Sequence, residues 1–167
     1  NPVPPNLAHP ANNPDIIKRR WLYIDIDPFK EAGQEDNPAT QAEKENASRV
    51  AEAVLAKLSA AGWPAPVIMD SGNGWALFYR VELENGLHVK ASLARLMKVL
   101  AEEFTSENCV VDKAVHNANR LTKLPGTWAK KVEATPERPY RVCRLLSVPE
   151  SLELVTLGQI EQVAGIQ

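Results

Sequence analysis

Hydrophobic and polar residues alternate with a period of two along residues 18–28, whose sequence is KRRWLYIDIDP. β-Branched and aromatic side chains dominate this stretch and a proline ends it, so the pattern predicts a β-strand. Alternate residues of a strand point to opposite faces. The face that would anchor the strand in the core carries Leu22, Ile24 and Ile26. The other face carries Trp21, Tyr23, Asp25 and Asp27. Two carboxylates are therefore predicted to share one face.

Apolar positions three and four residues apart predict two helices. The first begins after Thr40-x-x-Glu43, which has the form of a capping box, and ends at Gly62. Its apolar positions are Val50, Val54, Leu55 and Leu58. The second extends from Leu87 to Phe104 and follows an Asn-Gly turn signal. Its apolar positions include Leu93, Leu96, Met97 and Leu100.

Three further segments are predicted as strands: residues 67–69, 75–83 and 109–111. A tight turn, Ser71-Gly72-Asn73-Gly74, joins the first two into a hairpin. The resulting order, β-α-β-β-α-β, predicts an α+β fold with a ferredoxin-like core and additional α/β elements. In that arrangement the first strand is central and helices cover one face of the sheet. Asp25 and Asp27 are then expected on the open face, where a substrate can reach them.

The two ends of the chain have weaker patterns. Residues 1–14 contain five of the 13 prolines and predict an irregular arm. Beyond residue 112 we expect a loop at 124–127, a strand at 140–146 and a short helix after Glu150. We expect residues 1–167 to form a single domain, which opens without an initiator Met and so is interpreted as a piece of a longer polypeptide.

Composition narrows the class of protein. With 44% hydrophobic and 24% charged residues, the chain has the usage of a globular domain. No apolar run is long enough to span a bilayer, and no secretory signal is present, so no membrane partner is expected. Two cysteines without a Cys-x-x-Cys pair argue against a disulfide framework or a zinc site. A reducing, cytoplasmic setting fits best.

Asp25-x-Asp27 is the sharpest chemical signal in the sequence. Adjacent residues on one face of a strand place their carboxylates roughly 7 Å apart, close enough to bracket one Mg²⁺ or Mn²⁺. Asp112 follows the fourth strand, which in the expected fold lies beside the first, so three carboxylates could converge on two divalent ions about 4 Å apart. The alternatives are an exposed polar pair that binds nothing, and an Asp112 that pairs with Lys113 or Arg120 in a turn.

The turn at residues 71–74 contains two glycines, Gly72 and Gly74, alongside Ser71 and Asn73. Its backbone N–H groups, unhindered by side chains, could cradle a phosphate. Asn-Gly is also the most common hairpin turn, so a purely structural interpretation is at least as good for these four residues.

Charge is distributed unevenly along the chain. The net charge is −2, yet residues 112–144 hold eight basic and three acidic residues, a net +5. Concentrated positive charge suits phosphate binding, although a solvated face would have the same composition. Arg120 and Lys123, nearest to Asp112, are the expected triphosphate contacts. His116 could touch a nucleotide or serve as a hydrogen-bonded structural residue. The expected contacts to a template backbone are Lys130, Lys131 and Arg138.

Five motifs occur together in order: Asp25-x-Asp27-Pro28, Ser71-Gly72-Asn73-Gly74, Val111-Asp112, Asn117-x-x-Arg120 and Leu124-Pro125-Gly126-Thr127. This combination resembles the archaeo-eukaryotic primase superfamily, especially the primase-polymerase domains of plasmids, phages and mobile elements. The resemblance covers most of residues 18–148. It implies an RRM-like catalytic unit in which Asp25, Asp27 and Asp112 bind the metals, Mg²⁺ or Mn²⁺, and Ser71 belongs to the nucleotide-binding turn. It also implies nucleoside triphosphates, a single-stranded DNA template or primer-template, and a fused or associated helicase as partners.

The sequence departs from that family at one position. The family's second motif carries a histidine two residues after the last glycine of the turn, where it contacts the incoming triphosphate, and this chain has Trp75 followed by Ala76. Two hypotheses follow. The first is a metal-dependent DNA primase/polymerase, and the second is a weakened or inactive primase-like module that binds nucleic acid. A two-metal nuclease is a third, less favoured alternative.

Overall fold

A computed structural model describes residues 1–130 and 132–166. Within them the chain is a mixed helix and sheet protein, which confirms the predicted α+β class. The strands are β1 (Lys18–Pro28), β2 (Val67–Asp70), β3 (Trp75–Glu84), β4 (Cys109–Val111), β5 (Trp128–Ala129), β6 (Arg141–Val142) and β7 (Arg144–Ser147). The helices are α1 (Gln41–Ala60), α2 (Leu87–Phe104) and α3 (Leu157–Ala164). Short 3₁₀ turns occur at Asn13–Asp15 and Lys113–His116.

Strand β1 is an interior strand of the main sheet, between β4 and the middle strand β3. Five strands lie in the order β4-β1-β3-β2-β7, and each neighbouring pair is antiparallel. Ile26 of β1 pairs with Trp75 of β3 on one side and with Val111 of β4 on the other. The prediction that the fourth strand lies beside the first is therefore confirmed. The short strands β5 and β6 form a separate two-stranded sheet.

The helices pack on one face of this sheet. Helix α1 begins with the predicted capping box, in which the Thr40 side chain accepts the N–H of Glu43 and the Glu43 carboxylate accepts the N–H of Thr40. The core joins the inward face of β1 to the apolar stripes of the helices, and its fully buried members include Ile24, Ile26, Val54, Leu58, Leu96 and Leu100. Burial of these side chains fixes which face of β1 looks outward, because a slip of one residue would bury the acidic set.

The predicted strand at residues 140–146 is interrupted at Cys143. The N–H of Cys143 donates to the Thr127 carbonyl and its carbonyl accepts the Gly126 N–H, each at 2.8 Å. Because these bonds draw the backbone toward the loop at residues 124–127, β6 pairs with β5 while β7 extends the main sheet beside β2. The helix expected after Glu150 is α3, which begins only after the Thr156 cap. In the described part of the chain, no helix combines the length and apolar character that a bilayer crossing needs.

Candidate functional site

Asp25 and Asp27 lie on the sheet face that the helices leave open. Along β1 the residues alternate between buried and accessible positions: Ile24 and Ile26 are 0% exposed, Asp25 is half-buried and Asp27 is exposed. The predicted division of this strand into two faces is confirmed. Both carboxylates end a central strand, a location that β propensity disfavours for aspartate. Strand stability does not explain them.

Asp112 is held beside Asp25 by the sheet. Its backbone N–H donates to the Asp25 carbonyl at 2.9 Å, one step beyond the Ile26–Val111 pair. Its side chain makes two further contacts: Oδ1 accepts the Ala114 N–H at 2.8 Å and Oδ2 accepts from Arg120 Nη2 at 2.7 Å. The turn interpretation of Asp112 therefore describes its present contacts, and the topological prediction that it lies next to Asp25 also holds.

The carboxylates influence one another's ionisation. Burial raises the pKa of Asp25 to about 7, and repulsion from Asp27 and, less strongly, from Asp112 adds to this effect. A hydrogen bond from the Tyr23 hydroxyl and the positive charge of Arg120 act in the opposite direction. Ionised Asp25 is thus penalised by both desolvation and like charge. A divalent cation at this position would relieve that penalty.

These residues could hold a metal only in an open site, where few of the ligands come from the protein. Among residues 1–130 and 132–166, no three Asp, Glu, His or Cys side chains are gathered around one metal position. Mg²⁺ commonly binds through one or two carboxylates together with water and substrate phosphates. Asp25 and Asp27 supply such a pair from one strand face. Asp112 would join them only by giving up its bond to Arg120.

Gly74 brings the hairpin turn against Asp27. A Cβ atom placed on Gly74 would lie 2.4 Å from Asp27 Oδ1 and 2.3 Å from the Ile26 carbonyl oxygen. Such distances are far shorter than any van der Waals contact, so only glycine allows the turn to sit this close. Ser71 closes the turn, since its hydroxyl accepts the Gly74 N–H at 2.9 Å. The turn and the end of β1 therefore form one continuous surface.

Three backbone N–H groups of the turn are already engaged inside the chain. The Gly72 N–H donates to Asp70 Oδ1 at 2.7 Å, the Ser71 N–H donates to the Gly74 carbonyl at 3.0 Å, and the Gly74 N–H donates to Ser71. These three N–H groups hold the turn closed and are not free to receive a phosphate in this structure. The Asn73 side chain is also engaged, because its Oδ1 accepts the Ala39 N–H at 3.0 Å.

A cleft of about 310 Å³ opens beside Asp27. Its lining includes Asp27, Phe29, Lys30, Asn73 and Lys123. Lys123, one of the two expected triphosphate contacts, donates from Nζ to the Ser71 carbonyl at 3.1 Å. It therefore reaches both the turn and the cleft. We call this space the Asp27 cleft. Lys30 was not predicted as a neighbour of the carboxylates. It follows Asp27 by only three residues, and this short separation could have indicated the contact.

The other basic and polar candidates are dispersed. Arg120 is bonded to Asp112, and His116 approaches the Lys113 carbonyl at 3.0 Å through Nδ1. The Lys130 ammonium lies 5.1 Å from the centre of the Tyr140 ring. Lys131 lies outside the described residues.

Arg138 is committed to α1. Its guanidinium donates to both Glu43 carboxylate oxygens, at 2.7 and 2.8 Å, and to the Pro38 carbonyl at 2.8 Å. A guanidinium held in this way fastens the loop to the start of the helix. Arg138 thus has a structural partner in Glu43, and its contact to a template stays a prediction.

Ala76 occupies a sensitive position. It pairs directly with Asp25 across β1 and β3, so both side chains point to the open face. Ala76 is nevertheless 0% exposed, because Met69 and Cys143 pack with it in a small apolar cluster. Trp75, its neighbour, belongs to the helix-covered face and packs against the main core.

The arrangement places acidic groups between two kinds of surface. On one side is the Asp27 cleft. On the other side Arg120, which is bonded to Asp112, lines a second cleft along β1. Comparison with protein-family models, with curated proteins and with solved structures finds no match for this chain. What the site can do chemically follows from its own groups: bind a divalent cation, attract phosphate and admit a ligand from the open face.

Proposed function

We propose that the chain is a metal-dependent nucleotidyltransferase of the DNA primase/polymerase type, which joins a nucleoside triphosphate to a 3′-hydroxyl. One observation carries the proposal: Asp25 and Asp27 share the open face of a central strand whose neighbour delivers Asp112 to the same place. The β-α-β-β-α-β order with strands in the order β4-β1-β3-β2 supports an RRM-like core. The motifs shared with the primase superfamily support the same function.

Mg²⁺ or Mn²⁺ held at Asp25 and Asp27 would supply charge neutralisation at the reacting phosphate and lower the pKa of the attacking hydroxyl. The chain's own residues position the reactants. Lys123 stands at the Asp27 cleft, where it would bind the triphosphate. Asp112 holds Arg120 by an ion pair at 2.7 Å, and Arg120 would contact phosphate on release from that pair.

The transfer itself is a substitution at phosphorus. The 3′-oxygen forms a bond to the α-phosphorus while the bond from that phosphorus to its bridging oxygen breaks. Pyrophosphate leaves with the electron pair of the broken bond, and the hydroxyl proton passes to solvent. The polar, half-open setting of Asp25 and Asp27 suits this chemistry, because both reactants must approach from the sheet face.

A second candidate function is a primase-like module that binds nucleic acid without catalysis. Ala76 favours it, since this buried residue faces Asp25 where the superfamily carries a histidine that contacts triphosphate. A lost charge-assisted contact of that kind weakens binding by about 1.5–3 kcal/mol. The second candidate predicts that the affinity for a nucleic-acid strand depends neither on added metal nor on the Asp25 carboxylate.

The deciding experiment is primer synthesis and extension with Mg²⁺ or Mn²⁺, using wild type, Asp25→Asn and the matched control Glu153→Gln, which removes an exposed carboxylate near α3. We expect products from wild type and from the control, and none from Asp25→Asn. Strand binding without products would favour the second candidate. Shortening of the primer would identify a nuclease.

A further inference from the structure

The main sheet has two edge strands, β4 and β7, and their outer sides differ. The outer side of β4 is closed by the loop that follows α2. The Val111 N–H donates to Thr105 Oγ1 at 3.1 Å, and the Cys109 carbonyl accepts the Ser106 N–H at 2.8 Å. Another strand could therefore pair with β4 only by displacing these bonds.

The outer side of β7 has no such cover. One side of this strand pairs with β2. Apart from that ladder, no hydrogen bond within residues 1–130 and 132–166 involves the backbone of Arg144–Ser147. All four residues of the strand are exposed. An edge of this kind presents backbone N–H and C=O groups that can pair with a strand from another chain.

The exposed side chains at this edge are largely apolar. Leu145 is 49% exposed, Leu146 is 50% exposed and Val148, just beyond the strand, is 57% exposed. Leu146 is the extra residue of a bulge, because β2 pairs with Leu145 and Ser147 and leaves Leu146 without a register partner. Bulges and charged side chains commonly protect sheet edges, but this bulge carries a leucine. Leu145 and Val148 also line an apolar cavity of about 360 Å³ together with Leu124, so the apolar surface continues past the edge.

The segment that contains β7 is complementary to itself. Residues 144–150 have the sequence RLLSVPE, with a basic residue at one end, an acidic residue at the other and mainly apolar residues between them. Arg144 and Glu150 are both exposed, and neither has an ion pair within the described part of the chain. When two copies of this segment run antiparallel, Arg144 of each copy lies opposite Glu150 of the other, and the apolar residues face one another. Charge complementarity therefore identifies a second copy of the chain as the partner.

We propose that β7 is a dimerisation edge, at which two copies of the chain pair antiparallel about a twofold axis near Ser147. The two main sheets then continue into one another across the axis. This pairing satisfies the outer backbone groups of β7 and covers its leucines. Asp25 and Asp27 lie on β1, which β3 and β2 separate from β7, so the dimer leaves them accessible. The inference goes beyond the proposed function and does not depend on it.

The test is sedimentation velocity of the full chain at increasing concentration. We expect wild type to shift from the mass of one chain, 18.4 kDa, to twice that mass. Leu146→Lys should weaken the dimer by about 100-fold, because a tenfold loss from each of the two copies multiplies across a twofold contact. Leu87→Lys is the matched control, since Leu87 is 86% exposed at the start of α2, and it should dimerise as wild type does. A wild type that stays monomeric at every concentration would overturn the proposal, and so would an equal loss in both leucine variants.

Charge reversal tests the antiparallel direction. Arg144→Glu and Glu150→Arg should each weaken the homodimer by about 10-fold, because two like-charge contacts replace two opposite-charge contacts at a solvated rim. A mixture of the two variant proteins should dimerise as tightly as wild type, since each copy then meets opposite charges at both ends. The double variant should also recover the wild-type affinity as a homodimer. If the mixture is no tighter than either variant alone, the antiparallel pairing is wrong.

Amide hydrogen exchange locates the contact on the molecule. Exchange of the amides of residues 144–148 should slow as the concentration of wild type rises, because pairing protects the outer N–H groups of β7. The amides of β4 should exchange at the same rate in monomer and dimer. Leu146→Lys should abolish the concentration dependence at residues 144–148. A dimer that forms without added protection at β7 would place the interface elsewhere and overturn the proposal.

Discussion

The backbone N–H of Asp112 donates to the carbonyl oxygen of Asp25 at 2.9 Å. This bond is the last contact between β4 and β1, and it follows the buried pair of Val111 with Ile26. Because the buried pair fixes the facing of both strands, the two aspartates approach each other on the open side.

Mn²⁺ should stabilise the wild-type chain, and Asp25→Asn should remove most of that effect. Replacing the carboxylate by an amide keeps its shape but lowers its affinity for a hard cation. At a metal concentration of about 100 times Kd, binding raises the free energy of unfolding by about 2.7 kcal/mol. Thermal unfolding with and without Mn²⁺ measures the difference. Glu153→Gln is the control and should respond as wild type. An equal response from Asp25→Asn would contradict a metal site at Asp25.

Without metal, the pH dependence of stability should show that burial disfavours the ionised form of Asp25. The pKa of Asp25 is raised to about 7 in the folded state, above its ordinary value of 3.8. Between these values the folded state keeps a proton that the unfolded state has lost, so stability falls as pH rises from about 4 to 7. Asp25→Asn removes this loss. At pH 8 we expect the variant to be more stable than wild type by on the order of 4 kcal/mol, with the difference shrinking toward pH 4.

Urea unfolding in a chelating buffer, repeated at several pH values, checks this expectation. The two proteins should have stability curves that diverge above about pH 4, where Asp25 of the unfolded chain ionises. Parallel curves across the whole range would show that Asp25 is not penalised. The metal experiment provides an internal check, because a cation that binds ionised Asp25 should recover the wild type's deficit at pH 8.

Gly74→Ala should disturb the site through backbone contact alone. Its new Cβ would lie 2.3 Å from the Ile26 carbonyl oxygen and 2.4 Å from Asp27 Oδ1, so the turn and the end of β1 must separate. Overpacking of this kind costs about 1–3 kcal/mol. We expect that loss in urea unfolding, together with a smaller stabilisation by Mn²⁺.

Gly158→Ala is the matched control. A Cβ there has no heavy atom within 4 Å, and the residue lies in α3. Alanine favours a helix over glycine by up to about 1 kcal/mol, so this variant should be as stable as wild type or slightly more stable. If both glycine variants behave alike, the close approach of the turn to Asp27 is not a constraint on the fold.

The elements of this fold were predictable because their signals are local. The alternation in β1 and the capping box of α1 each depend on a few neighbouring residues, and both are confirmed. The position of Asp112 beside Asp25 followed from topology, since the predicted strand order left one neighbour for β4. Local pattern and global arrangement agree at this point.

The contacts between distant loops were not predictable from the sequence. Arg138, predicted as a template contact, pairs with Glu43, a partner that only the folded chain brings within reach. The engagement of the Gly72 N–H by Asp70 likewise depends on how the turn closes. Several donors and acceptors compete for each such residue, and packing decides among them. The distribution of charge therefore identified the basic segment, but not the contacts that each of its residues makes.

Ala76→His tests whether the missing histidine could simply be restored. Ala76 is 0% exposed in a cluster with Met69 and Cys143, and it pairs with Asp25. An imidazole there must displace this cluster, so we expect a loss of about 1–3 kcal/mol in the free energy of unfolding and no gain in primer extension. Cys143→Ala makes room on the same face. The double variant should then be more stable than the sum of the single losses predicts, by about 0.5–2 kcal/mol. Urea unfolding of the four proteins gives this coupling directly. Full stability of Ala76→His alone would mean that the position is open toward Asp25, and the absence of a histidine would then have to be explained by function and not by packing.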